Sequence, residues 1–448
     1  MDSKRKVLLF VVSSFILYLL ISLFSYVLGI DWAPLKRINL LSDIVKETPI
    51  KSKDTLANAP LIVVAAKPDY NINFYQLPHF ITNFNTDTTQ PSLTGFSQKL
   101  HDLKTRKKRK VRIAYFGDSM IEGDLLTQTI RKLLQKEFGG SGVGFVPVTS
   151  MVSQFRQTVN TSASEGWSND NFKTPGKKNK LFLSGYLFHS QGDWVEMRDQ
   201  TITDSVALIE KSLLCGYSAE PVTVKINNNP VALKPVKIFN RIVTSTDLGR
   251  SIRLSIADTS LPVYGISFES ESGITVDNFS FRGITGIEYG YLDSAFLSKI
   301  AEANPYDLIV FQYGVNLLFR PNDKNFNWYG RVFEQVTKKF RSCFPTADFV
   351  IVSTADRAFR YQGEYKSAIG IDSLIKLQAA VAYQTGSCFY NQFETMGGHN
   401  SIVDWASRKP SLANKDYVHP NHRGAEILGQ YFFEAIMDDY RKYVTTKH

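Results

Sequence analysis

A strand-helix alternation starts near Phe96 of this chain, breaks off after one round and resumes near Phe279; few architectures accommodate such an interruption. An amphipathic helix is expected between Phe96 and Leu103, followed by the buried strand Val111-Arg112-Ile113-Ala114-Tyr115-Phe116. A second helix follows, in which Leu125, Leu126, Thr129, Ile130, Leu133 and Leu134 share one face and Gly139-Gly140 supplies the stop. From about Val146 to Thr275 the texture changes to short alternating runs. Val222-Thr223-Val224-Lys225-Ile226, Ser251 to Ile256 and Tyr264 to Phe268 are examples, separated by turns such as Asn227-Asn228-Asn229-Pro230. Strands are then expected near Phe279–Phe281, Leu308–Gln312, Phe349–Ser353 and Cys388–Tyr390, with helices at about 290–303, 327–341, 371–384 and 423–441. The alternation implies a parallel sheet covered on both faces, and the β-rich block implies a β-sandwich inserted after the first strand-helix unit. The α/β domain is therefore split into 93–148 and 276–448, with the insertion at 149–275.

The amino terminus constrains location. Val7 to Ile30 carries no charged side chain, and as a helix these 24 residues would extend roughly 36 Å, enough to cross a bilayer core. Lys4, Arg5 and Lys6 precede the stretch, so residues 1–30 are expected to anchor the chain with its start in the cytoplasm and the remainder translocated. A cleaved signal peptide ranks second, because no A-x-A-like site follows before Asp31. A buried core helix ranks last. Residues 31–92, with Pro34, Pro49, Pro60, Pro68, Pro78 and Pro91 in polar surroundings, read as a tether, from which Leu61 to Ala65 could add a strand to the main body.

A net charge of +10 favours anionic neighbours without choosing among them. The densest basic run, Lys104 to Arg112, comes without a nucleic-acid motif and reads as a solvated helix end, so no nucleic-acid partner is expected. Cys215, Cys343 and Cys388 show neither CxxC nor Cys/His spacing, which leaves metal and cofactor chemistry unsupported. Cys343 and Cys388 are read either as a pair or as buried thiols. Trp167 and Trp194 in the β-rich block are read as core.

Gly117-Asp118-Ser119-Met120 falls where a buried strand gives way to a helix, a placement that presents the Ser119 hydroxyl at the carboxyl end of a parallel sheet. Alone, it is more often the signature of a helix cap. Asp416-Tyr417-Val418-His419 changes the balance. A hydroxyl needs an adjacent base to become a nucleophile, and an imidazole needs a carboxylate to fix its tautomer; Asp and His three apart on a tight turn stiffened by Pro420 meet at low entropic cost. Acyl transfer also needs donors for an oxyanion, and two strand ends offer them: Asn316 in Phe311-Gln312-Tyr313-Gly314-Val315-Asn316, and the glycines of Arg282-Gly283-Ile284-Thr285-Gly286.

Gly117-Asp118-Ser119, Gly283-x-x-Gly286, Gly314-x-Asn316 and Asp416-x-x-His419, in that order, resemble the four signature blocks of the SGNH (GDSL-like) hydrolase family. The resemblance implies a flavodoxin-like α/β/α sandwich. It makes Ser119 the nucleophile, His419 the base and Asp416 its partner, with Ser119, Gly286 and Asn316 as oxyanion donors. Within the family the chain is similar to bacterial peptidoglycan O-acetylesterases and related cell-wall acetyl-transfer enzymes, through Gly139-Gly140-Ser141-Gly142-Val143-Gly144-Phe145 and through Met396-Gly397-Gly398 with Trp405 ahead of Asp416. Leu317-Leu318 departs from the pattern, since relatives place an acidic residue after the asparagine. The implied activity is removal of a small acyl group, acetyl first, from an extracytoplasmic polysaccharide such as peptidoglycan. The enzyme would then be a single-pass protein of a bacterial inner membrane facing the periplasm. Two alternatives stand beside it: O-acetyl transfer to an envelope polysaccharide with a membrane acyl-transfer protein as partner, and noncatalytic glycan binding.

Overall fold

The computed structural model describes residues 12–14, 17, 69–203 and 206–447. The chain divides into two units, Met1–Leu61 and Ile62–His448, and the second carries every sheet among the described residues. Of the expected span Val7–Ile30, only the helical residues Val12, Ser13, Ser14 and Leu17 are described; the rest of it, and Leu61–Ala65, lie outside the described residues. Among the described residues no helix is long and apolar enough to cross a membrane.

A six-stranded sheet forms the centre of the second unit. Numbered within it, the strands are β1 (Ile81–Thr82), β2 (Lys110–Gly117), β3 (Gly273–Ser280), β4 (Leu308–Gln312), β5 (Asp348–Val352) and β6 (Cys388–Tyr390), in spatial order β1-β6-β5-β4-β2-β3. All neighbours run parallel except β1, which closes one edge antiparallel to β6. The helices are α1 (Thr94–Lys104), α2 (Thr127–Phe138), α3 (Ser294–Ala303), α4 (Asn327–Cys343), α5 (Ile371–Thr385), α6 (Gln392–Met396), α7 (Ser401–Ser407) and α8 (His422–Thr446).

The period of two along each strand decides which helices cover which face. Val111, Ile113 and Tyr115 of β2 enter one core with Leu100 of α1, Ile130 and Leu134 of α2 and Phe432 of α8. Ala114 and Phe116 enter the opposite core with Leu297 of α3, Phe340 of α4 and Leu374 of α5. Because both faces are covered, β2 reads as an almost unbroken apolar run. The product is the α/β/α sandwich with a mainly parallel sheet that the alternation implies.

Between α2 and β3 the chain builds an antiparallel sandwich of a five-stranded and a six-stranded sheet. Its strands start earlier than the expected 149: Gly144–Pro147 already pairs with Val263–Ser270. They also end earlier than 275, since Gly273–Ser280 joins the central sheet as β3, where only Phe279–Phe281 is expected as strand. A short turn separates Val263–Ser270 from β3, and both alternate in the same manner, so the pattern conceals the change of sheet. The sandwich flanks the β3 edge, where Phe145, Phe182 and Tyr264 pack with Phe279 and Phe116 in one continuous core. Buried Glu269 bonds Arg112 and Lys110 across the same junction.

The tether expected over 31–92 likewise ends in structure. Asn71 caps the short turn Ile72–Gln76, and Ile81–Thr82 is the edge strand β1. Of the basic run, Lys104, Lys108, Arg109, Lys110 and Arg112 each meet a carboxylate. All three cysteines are buried free thiols, which settles the alternatives for Cys343 and Cys388.

Candidate active site

β2 delivers Gly117, Asp118 and Ser119 to the carboxyl edge of the sheet, beside the ends of β3 and β4. The chain does not pass directly into a helix there, as the sequence pattern suggests. A short turn, Glu122–Asp124, intervenes before α2, with both Gly123 and Asp124 in left-handed conformation (φ 69°), so the Ser119 N–H does not sit on the first turn of α2. The bend is held by charge. Asp124 is fully buried and receives Arg131 of α2 in two parallel bonds, of 2.7 and 2.9 Å, while the Arg131 Nε donates to the Val276 carbonyl at 3.0 Å. Burial alone would raise the Asp124 pKa, but the Arg131 and Arg156 guanidinium groups outweigh it and hold the value at about 2.

Ser119 and His419 are 300 residues apart in the chain, yet Ser119 Oγ lies 2.8 Å from His419 Nε2. His419 Nδ1 lies 2.7 Å from Asp416 Oδ2. The other oxygen, Asp416 Oδ1, accepts the Val418 and His419 backbone N–H groups at 3.0 and 3.1 Å. With Nδ1 donating to the carboxylate, Nε2 is the acceptor for the serine hydroxyl. Partial burial pushes the Asp416 carboxyl up, but these three N–H bonds prevail and its pKa is lowered, so it stays ionised across the neutral range.

The turn that makes this possible is tightly specified. Asn414 N donates to the His419 carbonyl at 2.9 Å, Tyr417 adopts φ 55°, and Asn421 caps α8 through the Arg423 and Gly424 N–H groups. The Tyr417 ring packs against Tyr365 at a tilt of 32°, with 4.1 Å between centroids, and the Tyr417 carbonyl accepts the Ala358 N–H at 3.0 Å. A small hairpin, Ala358–Tyr361 with Glu364–Ser367, thus braces the Asp416–His419 turn from outside. Nothing in the sequence distinguishes that hairpin from an ordinary loop.

The remaining two blocks meet beside Asp118. Asn316, at the exit of β4, donates one amide hydrogen to Asp118 Oδ2 at 3.0 Å and the other to the Ile284 carbonyl at 2.8 Å. Asp118 is fully buried and also accepts the Met120 N–H at 2.9 Å, and burial pushes its carboxyl up to about 7. Gly286 stands at φ 90° with the Tyr313 ring 2.6 Å from where a Cβ would lie, so no other residue fits that backbone. Gly283 also takes positive φ, but Lys173 is its nearest neighbour. Both hydrogens of the Asn316 amide are engaged, so it reaches an oxyanion only by exchanging or sharing one of these bonds.

In front of Ser119 opens a cavity of about 320 Å³, whose walls include His419, Asp416, Asn414 and His422 on one side and Glu122 and Arg282 on another. Glu122 and Arg282 form an ion pair in that wall, with Arg282 Nε 2.7 Å from Glu122 Oε2. Val152 and Phe155 come from the inserted segment, and sequence patterns carry no signal for either. Trp167 and Trp194 are not among the lining residues; Trp167 donates to the Trp194 carbonyl at 3.0 Å, and Arg253 covers the Trp194 ring. Among the described residues no His, Cys, Asp and Glu group is arranged to hold a metal ion.

Comparison with family models and with curated proteins yields no match. Among solved structures the fold is similar to that of a peptidoglycan O-acetylesterase, with 21% identity over 78% of this chain and 96% of the other, at a TM-score of 0.67. More distant matches include a family two carbohydrate esterase from Cellvibrio japonicus (8% identity, 63% of this chain, 99% of that one, TM-score 0.27) and an acetyl xylan esterase (10%, 36%, 81%, 0.29). The chain therefore shares its fold with the peptidoglycan O-acetylesterase across nearly the whole of that protein.

Proposed function

We propose that this chain is a serine esterase of the SGNH type that removes a small acyl group, acetyl, from an extracytoplasmic polysaccharide such as peptidoglycan. The observation that carries the reading is the unbroken line Ser119 Oγ, His419 Nε2, His419 Nδ1, Asp416 Oδ2, which opens on a cavity large enough for a sugar ester. The shared fold with a peptidoglycan O-acetylesterase supports the choice of substrate.

In the first step the Ser119 hydroxyl attacks the ester carbonyl while its proton passes to His419 Nε2. Asp416 stabilises the resulting imidazolium without taking the proton. The negative carbonyl oxygen is received by the Ser119 and Gly286 N–H groups and by the Asn316 amide, which exchanges its bond to the Ile284 carbonyl for one to the oxyanion. Collapse expels the sugar hydroxyl, protonated by His419, and leaves acetyl-Ser119. Water, deprotonated by His419, then releases acetate and regenerates the serine.

The test is hydrolysis of 4-nitrophenyl acetate, run with and without a glycan acceptor. Wild type should release acetate to water, and Ser119→Ala and His419→Ala should each lose several orders of magnitude in kcat while remaining folded. Near-normal turnover in either variant defeats the assignment, and acetyl appearing on the acceptor in preference to water would make the enzyme a transferase.

A further inference from the structure

One wall of the cavity is not supplied by the α/β domain. The loop 149–156, at the start of the inserted sandwich, reaches it with Val152 and Phe155. The Phe155 residue is 77% exposed even though it lines the cavity, and Met151 beside it is 78% exposed. A lone exposed apolar residue is ordinary on a protein surface. Its anchoring and its surroundings set this one apart.

The loop is anchored. Ser150 N donates to Ser153 Oγ at 2.8 Å, and the serine hydroxyl returns to the Ser150 carbonyl at 3.0 Å, which fixes the turn that carries Phe155. Immediately after it, Arg156 Nε donates to Thr158 Oγ1 at 2.9 Å, and the Thr158 hydroxyl donates to Asp124 Oδ2 at 2.8 Å. The ring is thus tied, through Asp124, to the same bend that positions Ser119. The rest of the lining mixes polar Glu122, Arg282, Asn414, Asp416 and His422 with apolar Met120, Leu125, Val152 and Pro420. An exposed aromatic face beside ionisable and hydrogen-bonding groups matches a ligand with an apolar face and a hydroxylated edge, as a pyranose ring has.

We infer that Phe155 is a specificity-determining residue: its ring receives the pyranose whose ester Ser119 attacks, so the inserted domain selects substrate through this loop and not through a sheet face. The inference rests on the esterase reading above. It places the sugar, and not the acyl group, against the insertion.

The test compares Phe155→Ala and Phe155→Trp on two probes, O-acetylated peptidoglycan fragments and 4-nitrophenyl acetate. Phe155→Ala should lower the ratio of glycan to small-ester kcat/KM at least ten-fold, and Phe155→Trp should restore most of that ratio. Equal losses on both probes, or no loss on the glycan, overturn the proposal. A second measurement is independent of turnover. In a Ser119→Ala background, the affinity for the same fragments should fall about ten-fold when Phe155→Ala is added, and unchanged affinity overturns the platform whatever becomes of the esterase reading. Absence of all ester turnover by wild type, with fragment binding still dependent on Phe155, would defeat the esterase reading alone.

Discussion

Asn316 and Asp118 show what single residues contribute beyond the Ser119–His419–Asp416 line. The Asn316 amide is held in place by Asp118 and the Ile284 carbonyl, and it turns one of these hydrogens to the oxyanion as charge develops. Asn316→Ala should therefore cost about 2.7–4 kcal/mol of transition-state stabilisation, expressed in kcat. A change confined to KM would remove it from the oxyanion site. Asp118 is a buried carboxyl raised from its ordinary 3.8 to about 7. The folded chain holds this proton more tightly than the unfolded chain does, so the stability it confers is complete below about pH 4 and is lost as pH rises through about 7. The loss is on the order of 4 kcal/mol. Asp118→Asn should lack that slope, so its unfolding free energy relative to wild type should rise between about pH 4 and about pH 7. Parallel pH profiles for the two proteins would contradict the account.

Among elements, the Glu122–Asp124 bend is the junction on which the site depends. Arg131 of α2 and Arg156 of the insertion both converge on Asp124, and the three groups are buried together. Removing one partner of such a cluster strands the others as uncompensated buried charges. Asp124→Ala should lower unfolding stability by about 3–5 kcal/mol. A loss under about 1 kcal/mol in chemical denaturation would mean that the cluster is hydrated. The bend is illegible in the sequence, because Glu122-Gly123-Asp124 looks like the first turn of an acidic helix start; only the long-range pairing with Arg131 and Arg156 reveals a kink. The Asp416–His419 turn is legible, because its parts are local and each has its own chemistry: the carboxylate, the imidazole, the proline and the capping Asn421. The brace over it, Ala358–Ser367, is not, since it acts through contacts between segments far apart in the chain.

For the whole molecule, the doubly covered parallel sheet and the interrupted alternation can be read directly, because strands buried on both faces are written as continuous apolar runs. The edges of the sheet cannot. Both β1, two residues long, and β3, which continues the pattern of the preceding sandwich strand, carry too little local signal to be assigned to the central sheet. Location is a proposal from Val7–Ile30 and the preceding cations: the bulk of the chain lies outside the cytoplasm. Protease added to intact spheroplasts should digest it, and its protection there would reverse the orientation.

That the nucleophile and its base lie 300 residues apart also fixes when the enzyme comes into being. At roughly 5–20 residues per second, a ribosome needs about 15–60 s to go from Ser119 to His419. Over that interval the nucleophile exists without its base, and α8, which covers one face of the sheet, has not yet been made. On the esterase reading, ester-cleaving power therefore arrives once, only after His419 has been made, and a chain cut short anywhere before Asp416 carries a serine that is chemically no more than an alcohol.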